Sequence, residues 1–277
     1  MVSFENFHCP HCGAEMILDN SGKSLVCNGE KKHHCFDLSS SGYVNFSLPS
    51  QSGSGDSKEA VRSRTRFLES GGYSPICETI SELVNKYCHG DPVVDAGCGE
   101  GYYTNNIAKN YSGDVVGFDL SKFGIEYASK SARRQNVSNS FFAVSSVFTL
   151  PIKSETCDGV VNIFAPCVEG EYARVLKKGG VLIVAGAGED HMFGLKKAIY
   201  DTTYKNTERE DMPHGMTLAE ERSVKFILKL DGKDAISDLF SMTPYYYRTS
   251  EADLRKLAVL EKLETEIDVK IKIFLKD

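Results

Sequence analysis

Val93-Val94-Asp95-Ala96-Gly97-Cys98-Gly99-Glu100-Gly101-Tyr102-Tyr103-Thr104 is the stretch on which the reading of this chain turns. A short β-branched run passes into three glycines spaced two apart and then into a helical pattern. Val93 and Val94 read as a buried strand. The glycines read as a turn in which positive φ is required, or in which a ligand meets backbone without a Cβ in the way. From Tyr102 a helix follows, and its first N–H groups suit an anion. A plain strand-to-helix connection would use the same glycines, so the neighbours must decide.

Two neighbours point away from a dinucleotide. The spacing is G-x-G-x-G rather than G-x-G-x-x-G, and Asp95 stands at the strand end, where a carboxylate would repel pyrophosphate. That carboxylate suits the ammonium of S-adenosylmethionine, whose carboxylate would then face the helix start beside Gly97 and Gly99. The next strand ends in Gly117-Phe118-Asp119-Leu120, placing Asp119 22 positions after Gly97. An acidic side chain there accepts both ribose hydroxyls. Ser146 follows the third strand, where it either bonds the adenine edge or caps a helix.

Working outward, strand patterns at 92–95, 114–120, 141–144, 158–164 and 181–186 alternate with helical ones. In the helix at 76–87, Ile76, Ile80, Leu83, Val84 and Tyr87 share a face. Leu176 to Gly180 reads as a helix-to-strand turn. The segment 267–275 alternates with period two, Asp268, Lys270 and Lys272 lying between apolar residues, which marks a half-solvated antiparallel strand near a sheet edge, with 221–230 beside it. The expected fold is α/β: a Rossmann-like, doubly wound, mostly parallel sheet with an antiparallel edge strand, as in class I S-adenosylmethionine methyltransferases.

Upstream, residues 1–48 form a separate small module, 49–57 (PSQSGSGDS) a flexible linker, and 58–277 the large domain. Four of the nine cysteines crowd the first 35 residues, in an odd total, which suits metal ligation in a reducing compartment. Cys9-Pro10-His11-Cys12 is a CxxC turn, and Cys27 follows 15 residues after Cys12. Together they are expected to hold a structural, tetrahedral Zn²⁺ in a ribbon-like module, with His34 or Cys35 as fourth ligand. A redox CxxC normally heads a helix, whereas this one opens a loop-rich segment.

The net charge of −6 and a pI near 5.7 mean that any nucleic acid must be met by local basic patches. Candidates are Arg62, Arg64 and Arg66, and Lys31, Lys32, His33 and His34, each equally readable as solvated surface. Tyr245, Tyr246 and Tyr247 could stack on a base or pack internally. No apolar run reaches membrane-spanning length, and residues 1–19 lack a basic start followed by an apolar core. A cytoplasmic protein without membrane contact is expected.

The set CPHC…C…HHCFD, SGYVNFSLP, GDSKEAVRSRTRFLESGGYSPI, DAGCGEGYYT, NIFAPC, HMFGLKKAIY and MTPYYYR resembles the RlmA family of 23S rRNA guanine-N1 methyltransferases over nearly the whole chain. The resemblance implies zinc on Cys9, Cys12, Cys27 and His34, although the gap from Cys27 to His34 is longer than usual there and leaves Cys35 open. It implies cofactor contacts at Tyr73, Glu100 and Gly101, with His191 and Met192 beside the methionine end. It further implies a 23S rRNA hairpin as substrate and a homodimer whose zinc modules flank the RNA. Guanine N1 must lose a proton before it attacks, and Asp190, His191 and Asn162 are the candidates for handling the acceptor. Two other readings are a small-molecule methyltransferase whose zinc module serves dimerisation, and a catalytically silent cofactor-binding protein on RNA or the ribosome.

Overall fold

The computed structural model describes residues 2–30, 32–47, 55–208, 213–246 and 248–277. Lys31, Tyr247 and residues 49–54 of the expected linker lie outside them.

The β-branched run of the glycine stretch becomes β5 (Val93–Ala96), buried along its whole length. From it the chain winds one way through β6 (Val115–Asp119) and β7 (Ser140–Val144). It then returns to the other side of β5 through β8 (Cys157–Ile163) and β9 (Leu176–Ala187). All these pairings are parallel. The winding direction therefore reverses between β5 and β8, which opens a crevice at the carboxyl ends of those two strands. Helices α1 (Lys58–Glu69), α2 (Ser74–Tyr87), α3 (Tyr102–Asn110), α4 (Lys122–Arg134), α5 (Glu169–Val175) and α6 (Phe193–Ile199) cover the sheet.

The period-two segment forms β11 (Lys262–Lys276), antiparallel to both β9 and the outermost strand β10 (Met216–Asp231). Between β10 and β11 lie α7 (Lys233–Ser241) and α8 (Glu251–Ala258). The expected antiparallel pair is present and longer than its alternation suggested. Two details differ. Asp268, expected on the solvated side, is buried because the turn after β9 folds over it. β9 begins at Leu176 rather than 181, because Leu176 pairs with Cys157 ahead of the glycine pair.

The first residues form a three-stranded antiparallel sheet of β1 (Met16–Leu18), β2 (Ser24–Cys27) and β3 (Cys35–Asp37). The chain then adds β4 (Val44–Asn45) to the large sheet, parallel to β7. Phe7, Met16, Leu25 and Phe46 share one apolar core with Val94, Phe118 and Phe141, and Phe7 meets Phe141 edge-to-face at 5.8 Å.

Asp158 anchors the opposite, amino end of the sheet. It is buried and accepts from His89 N–H (2.7 Å) and Asp91 N–H (2.9 Å), with Lys177 Nζ at 2.7 Å. Burial opposes its charge, but these partners hold its carboxyl below the usual range. Burial pushes the thiols of Cys77, Cys88 and Cys157 up to about 12, which makes them inert packing residues.

Candidate active site and metal centre

The reversal between β5 and β8 opens a cleft of about 640 Å³. The glycine turn forms its floor. Gly97, Gly99 and Gly101 all have positive φ, at 88°, 55° and 76°. Gly97 and Cys98 donate backbone N–H bonds to Phe118 O (2.8 and 3.1 Å), which ties the turn to β6. The three glycines are not equivalent. A Cβ on Gly97 would stand 2.6 Å from that of Ala165, and one on Gly101 would stand 2.6 Å from that of Ala128. One on Gly99 would meet nothing closer than Arg64 at 3.6 Å, so Gly99 leaves room for a ligand while its neighbours leave room for protein. Gly101→Ala is therefore expected to cost about 3 kcal/mol of stability. Gly99→Ala should cost only about 1 kcal/mol in left-handed strain yet weaken cofactor binding at least about tenfold. Thermal unfolding and titration calorimetry separate the two. Equal losses of stability would refute the distinction.

Two carboxylates frame the floor. Asp119 Oδ2 accepts Gly99 N–H (3.0 Å) and Oδ1 accepts Ser121 N–H (2.7 Å), so the side chain stands at the tip of β6 against the cleft. Asp95 is buried at the tip of β5 and accepts from Thr104 Oγ1 (2.6 Å). Burial pushes Asp95 up to about 7, with the Thr104 bond opposing. Glu100 is likewise pushed up to about 7 by burial, opposed by Arg64, whose Nε lies 3.0 Å from Glu100 Oε2.

The wall beyond β8 and β9 carries an ordered chain of polar groups. The Asp268 backbone N–H donates to His191 Nδ1 (3.3 Å), so the imidazole proton sits on Nε2, which donates to the Tyr73 hydroxyl at 3.3 Å. Burial drives His191 down to about 4 against the pull of Asp268, leaving it neutral at physiological pH. Tyr73 is buried, and its phenol is pushed up by desolvation. The Tyr103 hydroxyl, on α3 and also lining the cleft, has no hydrogen-bond partner among the described residues, which leaves a donor for a ligand.

In the N-terminal segment, Cys9, Cys12, Cys27 and His34 bring four ligand atoms within 4.8 Å of one another. Cys12 Sγ and Cys27 Sγ are 3.7 Å apart, and His34 Nδ1 lies 3.5 Å from the sulfurs of both Cys9 and Cys27. A tetrahedral Zn²⁺ with ordinary bond lengths requires S···S near ~3.8 Å and S···N near ~3.5 Å. The donors thus fit zinc. Cys35 is exposed in β3, with its sulfur toward Asp37 (3.8 Å), and is not part of the cluster.

Comparison with known proteins places the chain. A family model described as a methyltransferase domain matches residues 89–232. YxjB of Bacillus subtilis (strain 168), named as a 23S rRNA (guanine-N1) methyltransferase, is 32% identical over 99% of both chains. The chain belongs to this family of guanine-N1 methyltransferases. A Streptomyces fradiae relative named 23S rRNA (guanine(748)-N(1))-methyltransferase is 29% identical over 91% of this chain and 90% of its own. Among solved structures, the YcgJ protein of Bacillus subtilis matches with a TM-score of 0.50 at 15% identity, over 72% of this chain and 98% of that one, a likeness of fold.

The cofactor of the methyltransferase family is S-adenosylmethionine. Of the residues expected to meet it, Tyr73, Asp95, Gly97, Gly99, Glu100, Asp119, His191 and Met192 all line the one cleft. Gly101 and Ser146 are not among its walls: Gly101 packs beneath the turn, and Ser146 Oγ accepts from Phe148 N–H (3.2 Å). With Asp95 proposed as the partner of the cofactor's ammonium, affinity for S-adenosylmethionine should rise with pH from about 5.5 to 7, approaching tenfold per unit, because only the ionised carboxylate attracts the cation. Calorimetry across that range checks it, and a flat profile would refute it.

The three candidates for handling the acceptor fare differently. Asp190 lies outside the cleft, 2.9 Å from Lys205 Nζ. His191 has its one acceptor nitrogen occupied, which removes it as a base in this arrangement. Asn162 lines the cleft, but its amide nitrogen donates to Pro166 O (3.0 Å) and Tyr172 Oη (3.1 Å), holding the β8–α5 loop. The expected basic patch on α1 is also revised. Arg64 turns inward to Glu100 and Asp56, whereas Arg62 and Arg66 are both exposed, Arg66 paired with Asp238 (2.5 and 2.8 Å). Lys32 and His33 are exposed on the zinc module. Tyr245 lines the cleft, while Tyr246 is exposed. Residue reasoning missed Arg64, Tyr103, Phe164 and Asn206 as cleft residues. For Arg64, the only available signal was its place between two helix-face arginines.

Proposed function

We propose that this protein methylates N1 of a guanine in a hairpin loop of 23S rRNA, using S-adenosylmethionine. The observation that carries the reading is the match to YxjB over 99% of both chains, which takes in the zinc tetrahedron as well as the cleft. When bound, the cofactor supplies an electrophilic methyl group for in-line displacement.

The chain's own residues then have defined tasks. Asp119 takes the ribose hydroxyls, Asp95 the ammonium, and Arg64 with the start of α3 the carboxylate. Cys9, Cys12, Cys27 and His34 hold a structural zinc ion, closed to substrate because all four positions are protein. The methyl would face the wall of Tyr73, His191 and Phe164, where a flat acceptor must lie about 3–3.5 Å from it in line. Hydroxyl donors such as that of Tyr103 would stabilise the O6 enolate formed as N1 gives its proton to solvent water.

Two copies pairing so that their zinc modules flank the RNA, in the cytoplasm where ribosomes are built, complete the proposal. Support for pairing comes from β10, which has a strand partner on one side only among the described residues. Among those residues no helix is long and apolar enough to cross a membrane. The test incubates zinc-loaded protein with unmodified rRNA and labelled cofactor, then maps reverse-transcriptase stops. Label absent from guanine N1 would reject the reading.

A further inference from the structure

Phe164 is folded in a way its neighbours do not explain. Four non-glycine residues among those described have left-handed backbone: Asn136, Glu155, Phe164 and Met192. Asparagine visits that region readily, whereas a bulky aromatic at φ 52° is a strained outlier that surrounding structure must enforce. Phe164 and Met192 both border the cleft, which the hydrogen-bonded His191 and Tyr73 also line. The strain has a visible product. Asn162 and Ile163 are buried, but the next ring is 44% exposed at the cleft. It lies nearly parallel to His191, with centroids 5.5 Å apart at 28°, and 6.1 Å from Tyr73. An exposed phenyl ring backed by a fixed imidazole offers a flat apolar face and no hydrogen bond.

We infer that Phe164 is the platform on which the acceptor base is laid, so that the enzyme takes a nucleotide whose base has left its stack. The inference rests on the RNA reading above. A phenyl face grips any base through its π surface. Phe164 therefore sets the plane of the acceptor relative to the methyl group, and hydrogen-bonding groups elsewhere in the cleft choose guanine.

The test measures methyl transfer to unmodified rRNA, cofactor affinity and thermal unfolding for the full-length, zinc-loaded protein and its variants. Phe164→Ala and Phe164→Leu should each lower kcat/KM for RNA by about 10- to 100-fold, and Phe164→Trp should restore most of it. Cofactor affinity should stay within about twofold throughout, because the ring is assigned to the acceptor and not to the cofactor. Phe164→Gly should unfold no earlier than Phe164→Ala while being as inactive, since glycine relieves the left-handed backbone. Full activity in Phe164→Leu would overturn the platform, as would cofactor affinity falling in step with activity, the mark of a packing role. A wild-type protein that transfers nothing to RNA would instead overturn the RNA reading and the platform together.

Discussion

Asp119→Ala should lose S-adenosylmethionine affinity by about 100- to 1000-fold, because the two charge-assisted hydrogen bonds proposed from its carboxylate to the ribose would be gone. The residue also has a structural task. Its oxygens also accept the N–H groups of Gly99 and Ser121, so the side chain pins the glycine turn to the start of α4. A stability cost of about 1–3 kcal/mol should accompany the loss of binding. Asp119→Asn separates the two roles. It preserves the shape, but it replaces one acceptor with a donor facing either backbone N–H or ribose O–H. Calorimetry with the intact protein gives the affinity and thermal unfolding gives the stability. Wild-type affinity in Asp119→Ala would remove the carboxylate from the cofactor site.

Stripping the metal should cost at least about 3 kcal/mol, or roughly 10 °C of melting temperature for a chain of this size. Cys9 and Cys27 are buried within the apolar cluster that continues into the large sheet. The four donors lie within 4.8 Å of one another, a set compatible with a bound zinc ion. The backbone N–H of His34 donates to Cys27 Sγ (3.1 Å). Burial opposes ionisation of the Cys27 thiol, but hydrogen bonds from His34 and Gly29 outweigh it and lower that thiol below its usual range, which favours the thiolate that binds metal. Chelation and Cys27→Ser should therefore act alike, and titration should return one zinc per chain. An unchanged melting curve after complete metal removal would show that the cluster carries no structural load.

The parts that residues announced in advance are those that depend on local pattern. The glycine turn, the acidic tips of β5 and β6, and the period-two strand β11 follow from backbone conformations that few residue types can adopt. What stayed hidden depends on contacts between distant segments. Spacing alone left His34 and Cys35 equal, and only the pairing of Cys35 with Val26 in β3 turns its side chain away. Two residues are too few for periodicity to reveal what β4 pairs with. Arg64 read as surface charge because nothing nearby in sequence shows Glu100 waiting for it. Asp268 read as solvated because alternation reports only the face of a strand, and the turn bearing His191 happens to cover that face.

The docking of β4 beside β7 also orders events during synthesis. Among the described residues β1 to β3 pair only with one another, over short separations, and with zinc they can close as soon as they leave the ribosome. Val44 pairs with Ala143, so the apolar side of this early unit must wait, uncovered, until β7 has been made. Through that interval Phe7, Val44 and Phe46 face water, which makes the nascent chain most prone to aggregation after its metal site is complete and before its sheet exists.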